Sequence, residues 1–403
     1  MGRLPCRYFL VDQSLRSLSG HCYSYFAPIV ALLRLRGHNV VLVGNRRLEP
    51  SIEGQGVIPA FTYLSDERNI GHSSDLDRDG AADALRAEHE KAILSDLQEL
   101  HRRYLFSTGD RLIINSIHHW AIRGVVRWLE TLSEHECPEV ALLLHFTSQP
   151  EPFRYNPAER HYRDAFSAIS VSRRRGHIHL YADSTILIDE YRKLTELDIL
   201  LAPFPHCCFA DHVARPSANQ KLRVGYVGEA RYHKGFQLLP YISDWFGRSD
   251  LADIVEFHIH SFIFDRTARF YRQAMAHFRC AANVTLYPDP FDIGEYEHFL
   301  GGCDIVVLPY LLIYYYRQSS GIFADAVGMG IPVVIPRGTW MAKEAKRFGL
   351  TAMAIPENPV SFARATYHLC VHIEAYREQA RIAKELWRQL NTPAALVDMF
   401  EAW

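Results

Sequence analysis

Residues Val224–Ile242 read VGYVGEARYHKGFQLLPYI. An apolar run closing on glycine, a polar turn with Arg231 and Lys234, and Gly235 ahead of a second apolar run predict strand, loop and helix in that order. The strand is expected over Leu222–Val227 and the helix over Phe236–Trp245. Cations beside a helix N-terminus suit a diphosphate, because free backbone N–H groups and the helix dipole add to their charge. The plainer alternative is a solvated loop with two surface cations, since such junctions are common.

A second stretch, LPYLLIYYYRQSSGIFADAVGMGIPVVIP from Leu308 to Pro336, reads strand, loop, helix, strand. Ser319, Ser320 and Gly321 fall where the helix begins, and glycine lets an anion come close to the backbone. Asp325 follows one turn further in, where a carboxylate can accept both hydroxyls of a ribose. In the plainer reading Ser320 only caps the helix and Asp325 faces solvent.

The same alternation extends in both directions. Strands are expected over Val255–Ile259, Val284–Tyr287, Ile305–Leu308 and Pro332–Ile335, with helices over Arg266–Phe278, near Tyr296 and over Ile322–Val327. The first half gives strands at Arg7–Val11, Asn39–Val43, Leu112–Ile114, Val140–Leu144, around His177–Tyr181 and at Ile199–Leu201. Between them fall helices from about Ser24 to Arg36, Ala82 to Tyr104, through Trp128, from about Ala158 to Arg173 and from Thr185 to Leu194, and helices fill Val360 to Trp403. Two such blocks imply an α/β protein with two doubly wound parallel-sheet domains facing a cleft. Pro203-Phe-Pro205 and Arg215-PSANQ look like the linker. The expected division is 1–205 and 206–384, with a C-terminal helix of about 385–403 packing back onto the first domain. Ligands of such sheets sit beyond the carboxyl ends of the strands.

The 403 residues are 48% hydrophobic and 22% charged, with a net charge of −2. This is ordinary globular composition, so disorder, collagen and coiled coil are excluded, and a near-neutral balance argues against nucleic acid as a partner. The eight cysteines show no CxxC spacing, which favours reduced thiols over a disulfide framework. No signal peptide is legible, and the longest apolar run is broken by Pro309. A soluble cytoplasmic protein is expected, peripheral at a membrane surface at most.

With both stretches in place, the chain resembles the family-4 (group 1) retaining glycosyltransferases. The resemblance rests on YVGEARYHKGF, on LPY…YYYRQSSGIFADAVGMGIPVV and on LYPDPFDIGEYEHFLGGCDIVVLPY between them, with a looser match through LSGHCYSYFAPIVALLRLRGHNVVLVGN. It implies a GT-B fold of two Rossmann-like domains and a nucleotide diphosphate sugar as donor. The family's phosphate-binding lysine falls on Lys234. Its arginine, five residues earlier, falls on Glu229, and Arg231 stands nearby as the substitute. The family's paired glutamates fall on Arg317, a reversal of charge at the donor-sugar contact, and on Asp325, at the ribose. The glycine-rich turn over sugar and phosphate falls on Ser319, Ser320 and Gly321, and the base-receiving loop on Pro288-Asp289-Pro290. In the first half, Gly20 and His21 occupy the loop that closes over the diphosphate. His118 and His119 follow a strand where the family has a functional histidine, and which of them faces the cleft is open.

Other residues take plain readings. His145 ends an apolar strand as a partly buried histidine, His258 and His260 share a strand face without a further metal ligand, and Arg173-Arg174-Arg175 complements a helix end. No GxGxxG or P-loop occurs. The implied function is hexosyl transfer with retention, in polysaccharide or glycoconjugate biosynthesis, to a glycan, lipid-linked or small-molecule acceptor. Lys234, Arg231, His118 and His21 are the catalytic candidates, with no cofactor and no metal. A GT-B nucleotide-sugar epimerase and a non-catalytic GT-B binding protein are the alternatives.

Overall fold

A computed structural model of the chain describes residues 5–18, 21–64, 79–148, 158–205 and 221–403. The chain divides into two units, 1–203 with 393–403, and 204–392.

The first unit carries a seven-stranded sheet. Its strands are β1 (Arg7–Asp12), β2 (Asn39–Asn45), β3 (Val57–Phe61), β4 (Asp110–Asn115), β5 (Glu139–Leu144), β6 (Ile178–Ala182) and β7 (Ile199–Leu201). All neighbours pair in parallel, in the order β3-β2-β1-β4-β5-β6-β7. The connecting helices are α1 (His21–Leu35), α2 (Asp79–Tyr104), α3 (His119–Thr131), α4 (Ala158–Val171) and α5 (Thr185–Tyr191). Along β1, Phe9 and Val11 enter a core shared with α2, α3 and α4, while Tyr8 and Leu10 enter another under α1. Because both faces are covered, the strand reads as an unbroken apolar run. β3 carries Pro59, and its place at the sheet edge is where a residue without a backbone N–H is tolerated.

The second unit carries six parallel strands: β8 (Leu222–Tyr226), β9 (Val255–His260), β10 (Val284–Tyr287), β11 (Ile305–Val307), β12 (Val333–Pro336) and β13 (Met353–Ala354). Their order is β10-β9-β8-β11-β12-β13. The helices are α6 (Leu239–Gly247), α7 (Arg269–Phe278), α8 (Ile293–Gly301), α9 (Leu312–Tyr315), α10 (Gly321–Met329), α11 (Trp340–Arg347), α12 (Pro359–Val371) and α13 (Ile373–Leu390). The sequence reading did not foresee β3, β13, α9 or α11. The helix expected from Phe236 opens instead as a 3-10 turn over Phe236–Leu238, and its α-helical part begins at Leu239.

The last helix, α14 (Pro393–Glu401), belongs to the first unit, and α13 ends in the second. Leu396, Val397 and Phe400 fill the core beside Tyr8 and Leu10. Arg36 bonds Asp398 at 2.7 Å and Glu401 at 2.8 Å, and Trp403 stacks on His179 at 4.3 Å. Among the described residues no disulfide forms, and no helix is long and apolar enough to cross a membrane.

In each sheet the strand order reverses once, between β1 and β4 and between β8 and β11. The loops leaving those strands flank the crevice where open α/β sheets take ligands.

Candidate functional site

In the second unit, Gly228 follows β8 with φ +99° and Gly235 closes the next turn with φ +73°. A Cβ on Gly235 would stand 1.9 Å from the Pro309 carbonyl oxygen, in the loop after β11. One on Gly228 would stand 2.6 Å from Ile322 Cδ1 and 3.2 Å from Lys234 Nζ. Both positions therefore require glycine, for conformation and for space. Since Ile322 belongs to the first turn of α10, the Lys234 ammonium and the start of α10 both lie against Gly228. The helix terminus beside Lys234 is thus that of α10 rather than one opened by Gly235.

The Lys234 side chain is partly exposed, yet its ammonium is largely desolvated. Desolvation, reinforced by the charge of Arg231 and partly offset by Glu229, pushes its pKa down to about 8. Among the described residues no hydrogen bond or ion pair holds it. Arg231 differs. It is exposed, and its Nε donates to Glu229 Oε2 at 2.6 Å. Arg231 therefore does not stand as a second unpaired cation, because the carboxylate at the atypical position neutralises it.

Around this pair of loops the remaining residues are fixed by burial. Ser320 caps α10, accepting from the Phe323 N–H at 3.2 Å. Gly321 is then the first residue of the helix, and Ser319 lies half-buried beside it. Asp325 is buried rather than facing solvent, and accepts from the Tyr296 hydroxyl at 2.7 Å. Arg317 lies over the Tyr316 ring at 5.0 Å. The loop Pro288-Asp289-Pro290 is held by His260, whose Nε2 meets the Asp289 carbonyl at 2.9 Å while its ring stacks on Phe291 at 4.0 Å.

The first unit corrects two expectations. His118 is packed between Trp120, at 4.2 Å, and Phe146, at 3.5 Å, both rings nearly coplanar with it. Burial, then the charges of His89 and His145, push its pKa down to about 3. His119 lies in the same core against Trp120, Tyr162 and His161, and burial holds it neutral as well. Neither ring faces a crevice: α3 starts here and both rings turn inward with its apolar face. Gly20 lies outside the described residues, as does the side chain of His21, the first residue of α1.

The polar group at this crevice is one the sequence left as a plain core histidine. His145 Nδ1 meets Asp183 Oδ2 at 2.9 Å, and Nε2 meets Asn115 Oδ1 at 2.8 Å. Asn115 Nδ2 in turn meets Asp12 Oδ2 at 2.9 Å, and Asp12 Oδ1 accepts from the Ser14 N–H at 2.8 Å. The Cys22 thiol, in the first turn of α1, also bonds Asp12. The chain of bonds crosses the carboxyl ends of β1, β4, β5 and β6, which are neighbours in the sheet. Burial raises Asp12 to about 6 despite these bonds. Among the described residues no group of three His, Cys, Asp or Glu side chains is arranged to hold a metal ion.

Solved structures match the chain over its full length. A sucrose-phosphate synthase from Thermosynechococcus elongatus matches at 13% identity and TM-score 0.67, covering 99% of this chain and 98% of that one. The fold is GT-B. An α,α-trehalose-phosphate synthase (UDP-forming) from Burkholderia vietnamiensis matches at 12% identity and TM-score 0.68, covering 99% and 97%. Anabaena HepE, solved in complex with UDP and glucose, matches at 13% identity and TM-score 0.61, covering 98% of each chain. No family model and no curated protein sequence matches. Identity this low carries the GT-B fold and leaves the chemistry to the site.

Proposed function

We propose that this GT-B protein is a glycosyltransferase that moves a sugar from a nucleotide diphosphate sugar to an acceptor. The observation that carries this reading is the unpartnered, desolvated Lys234 ammonium held against Gly228 at the first turn of α10. A partly desolvated ammonium with no hydrogen-bonded partner is unfavourable, and a diphosphate is a ligand that offsets the cost there. The co-crystallised UDP and glucose of the HepE structure support the same donor class.

Departure of the diphosphate develops negative charge that Lys234 and the backbone N–H groups at Ser320 and Gly321 stabilise. Arg231, paired with Glu229, adds little net charge. Asp325 accepts the ribose hydroxyls, with Tyr296 fixing its carboxylate, and the loop at Asp289 receives the base. Following the resemblance, transfer retains the anomeric configuration, the departing phosphate takes the acceptor's proton, and neither protein nucleophile nor metal is required. Hexosyl transfer to a sugar-containing or lipid-linked acceptor, in the cytoplasm or peripheral at a membrane, completes the proposal.

The test is a thermal-shift screen against nucleoside diphosphates and their sugars, followed by assay of the best donor with and without acceptors. Stabilisation by a nucleoside diphosphate and acceptor-dependent release of it are expected. Isomerised sugar from donor alone would instead identify an epimerase, and no stabilisation across the panel would leave a non-catalytic GT-B protein.

A further inference from the structure

β10 lies at the edge of its sheet, with β9 beside it. The loop that leaves β10 is exposed at Pro288, Asp289 and Pro290, and two of these three residues have no backbone N–H to anchor them. Two side chains from the β9 side hold its carbonyls. Arg266, beyond the strand, donates to the Pro288 carbonyl at 3.2 Å, and His260, the last residue of β9, meets the Asp289 carbonyl through Nε2 at 2.9 Å.

The two anchors differ in kind. Arg266 is exposed, whereas His260 is buried, its ring stacked on Phe291 at 4.0 Å with the planes 8° apart. A carbonyl oxygen can only accept, so Nε2 carries a proton. Burial holds the ring below the ordinary histidine value against the pull of the Asp289 carbonyl, and the Lys234 ammonium adds to burial, so at neutral pH this is the one proton it carries. Nδ1 is buried and makes no hydrogen bond among the described residues. An unsatisfied buried nitrogen is unfavourable, and a phenyl ring would stack on Phe291 without it. What an imidazole adds at this place is the bond to Asp289.

Beyond Phe291 the loop enters α8 at Asp292, which caps the helix by accepting from the Glu295 N–H at 2.8 Å. The next residue, Tyr296, donates to Asp325 at 2.7 Å. A short hydrogen-bonded run therefore joins the Asp289 carbonyl to the carboxylate assigned to the ribose. We infer that His260 is a positioning residue for the nucleobase: its Nε2–H fixes the Asp289 backbone, and so sets the affinity for the nucleoside part of the donor while the diphosphate is left to Lys234. The inference rests on the transferase reading in taking 288–290 as the loop that receives the base.

The experiment is calorimetry of inorganic pyrophosphate, UDP, GDP, ADP and CDP on the full chain and on its His260→Phe and His260→Gln variants. His260→Phe keeps the stack on Phe291 and removes the donor, while His260→Gln places an amide N–H close to the position of Nε2. In His260→Phe the tightest nucleoside diphosphate should lose about 5- to 10-fold in affinity, the worth of one neutral hydrogen bond, and the spread across the four bases should narrow. Pyrophosphate binding should not change, and His260→Gln should recover most of the loss. In the transfer assay, His260→Phe should raise KM for the donor more than it lowers kcat. Equal losses for pyrophosphate and nucleoside diphosphates, no loss for either, or a His260→Gln as weak as His260→Phe would each overturn the inference. A 15N-histidine spectrum of the ligand-free wild type at neutral pH is a second check, and decides if the variants do not fold. It should show His260 protonated on Nε2 with Nδ1 bare, and the opposite tautomer or a doubly protonated ring would overturn the inference. Pyrophosphate bound by the wild type as tightly as every nucleoside diphosphate would overturn this inference alone, whereas no binding of any of the five would overturn the donor-site reading and the inference with it.

Discussion

The two sheets are built alike but treat their crevices in opposite ways. At the reversal between β1 and β4, Asp12, Asn115, His145 and Asp183 are hydrogen-bonded to one another across four strand ends. At the reversal between β8 and β11 a lysine is desolvated and left without a partner, while the neighbouring arginine is neutralised by Glu229. One crevice holds its charged side chains in a linked network. The other leaves a cation for the proposed anion. Both sit at equivalent places in a doubly wound sheet.

Removing the unpartnered cation should have the largest effect. Lys234→Ala is expected to lower transfer by roughly 10²- to 10³-fold, the loss typical of one charge-stabilising donor, with an unchanged thermal midpoint. Equal turnover in the variant would dissolve the contrast. Asp325→Ala should come next, weakening nucleotide binding by roughly 10-fold or more, as expected for hydrogen bonds to a charged group. Calorimetry showing unaltered affinity would remove the ribose assignment. Arg231→Ala is expected to change binding by only a few-fold, since an exposed pair contributes at most about 1 kcal/mol. A loss as large as that of Lys234 would show that Arg231 leaves Glu229 for the ligand.

Acid sharpens the comparison from the other side. His118, His119 and His161 are all held below the ordinary histidine value by burial. A histidine depressed in the fold contributes stability at neutral pH that is lost as pH falls below about 6.5, because the unfolded chain then binds the proton more readily. For His118, which holds out to about 3, the cost at pH 5 is about 2 kcal/mol. Asp12 acts in the opposite sense: being raised to about 6, it contributes stability below about 4 that fades as pH rises through 6. Denaturant titrations should show a net fall in stability from pH 7 to 5, made smaller in His118→Phe. A curve flat over that range would contradict the buried neutral histidines.

The parallel sheets were legible because covered faces leave continuous apolar runs such as RYFLV and NVVLV. The second-unit site was legible because its parts lie in two contiguous stretches, each with its own glycine and its own helix start. The first-unit network was not. Its members are scattered from Asp12 to Asp183 and meet only through strand order, which no local pattern records. His118 and His119 misled for a local reason: they follow a strand, as a crevice residue would, but α3 begins at once and carries both rings into the core. Asp325 was legible in position but not in environment, since Tyr296 reaches it from a different helix.

The central claim is that Lys234 waits for a diphosphate, and the proton it carries reports directly on that. Calorimetry at pH 8.5, in two buffers of different ionisation enthalpy, should measure binding of the tightest nucleoside diphosphate from the screen. With its pKa near 8 in the empty site, Lys234 is mostly neutral there. Binding an anion beside it should draw in about 0.7 proton per site, and Lys234→Ala should abolish the uptake. Binding without proton uptake in the wild type would contradict the account.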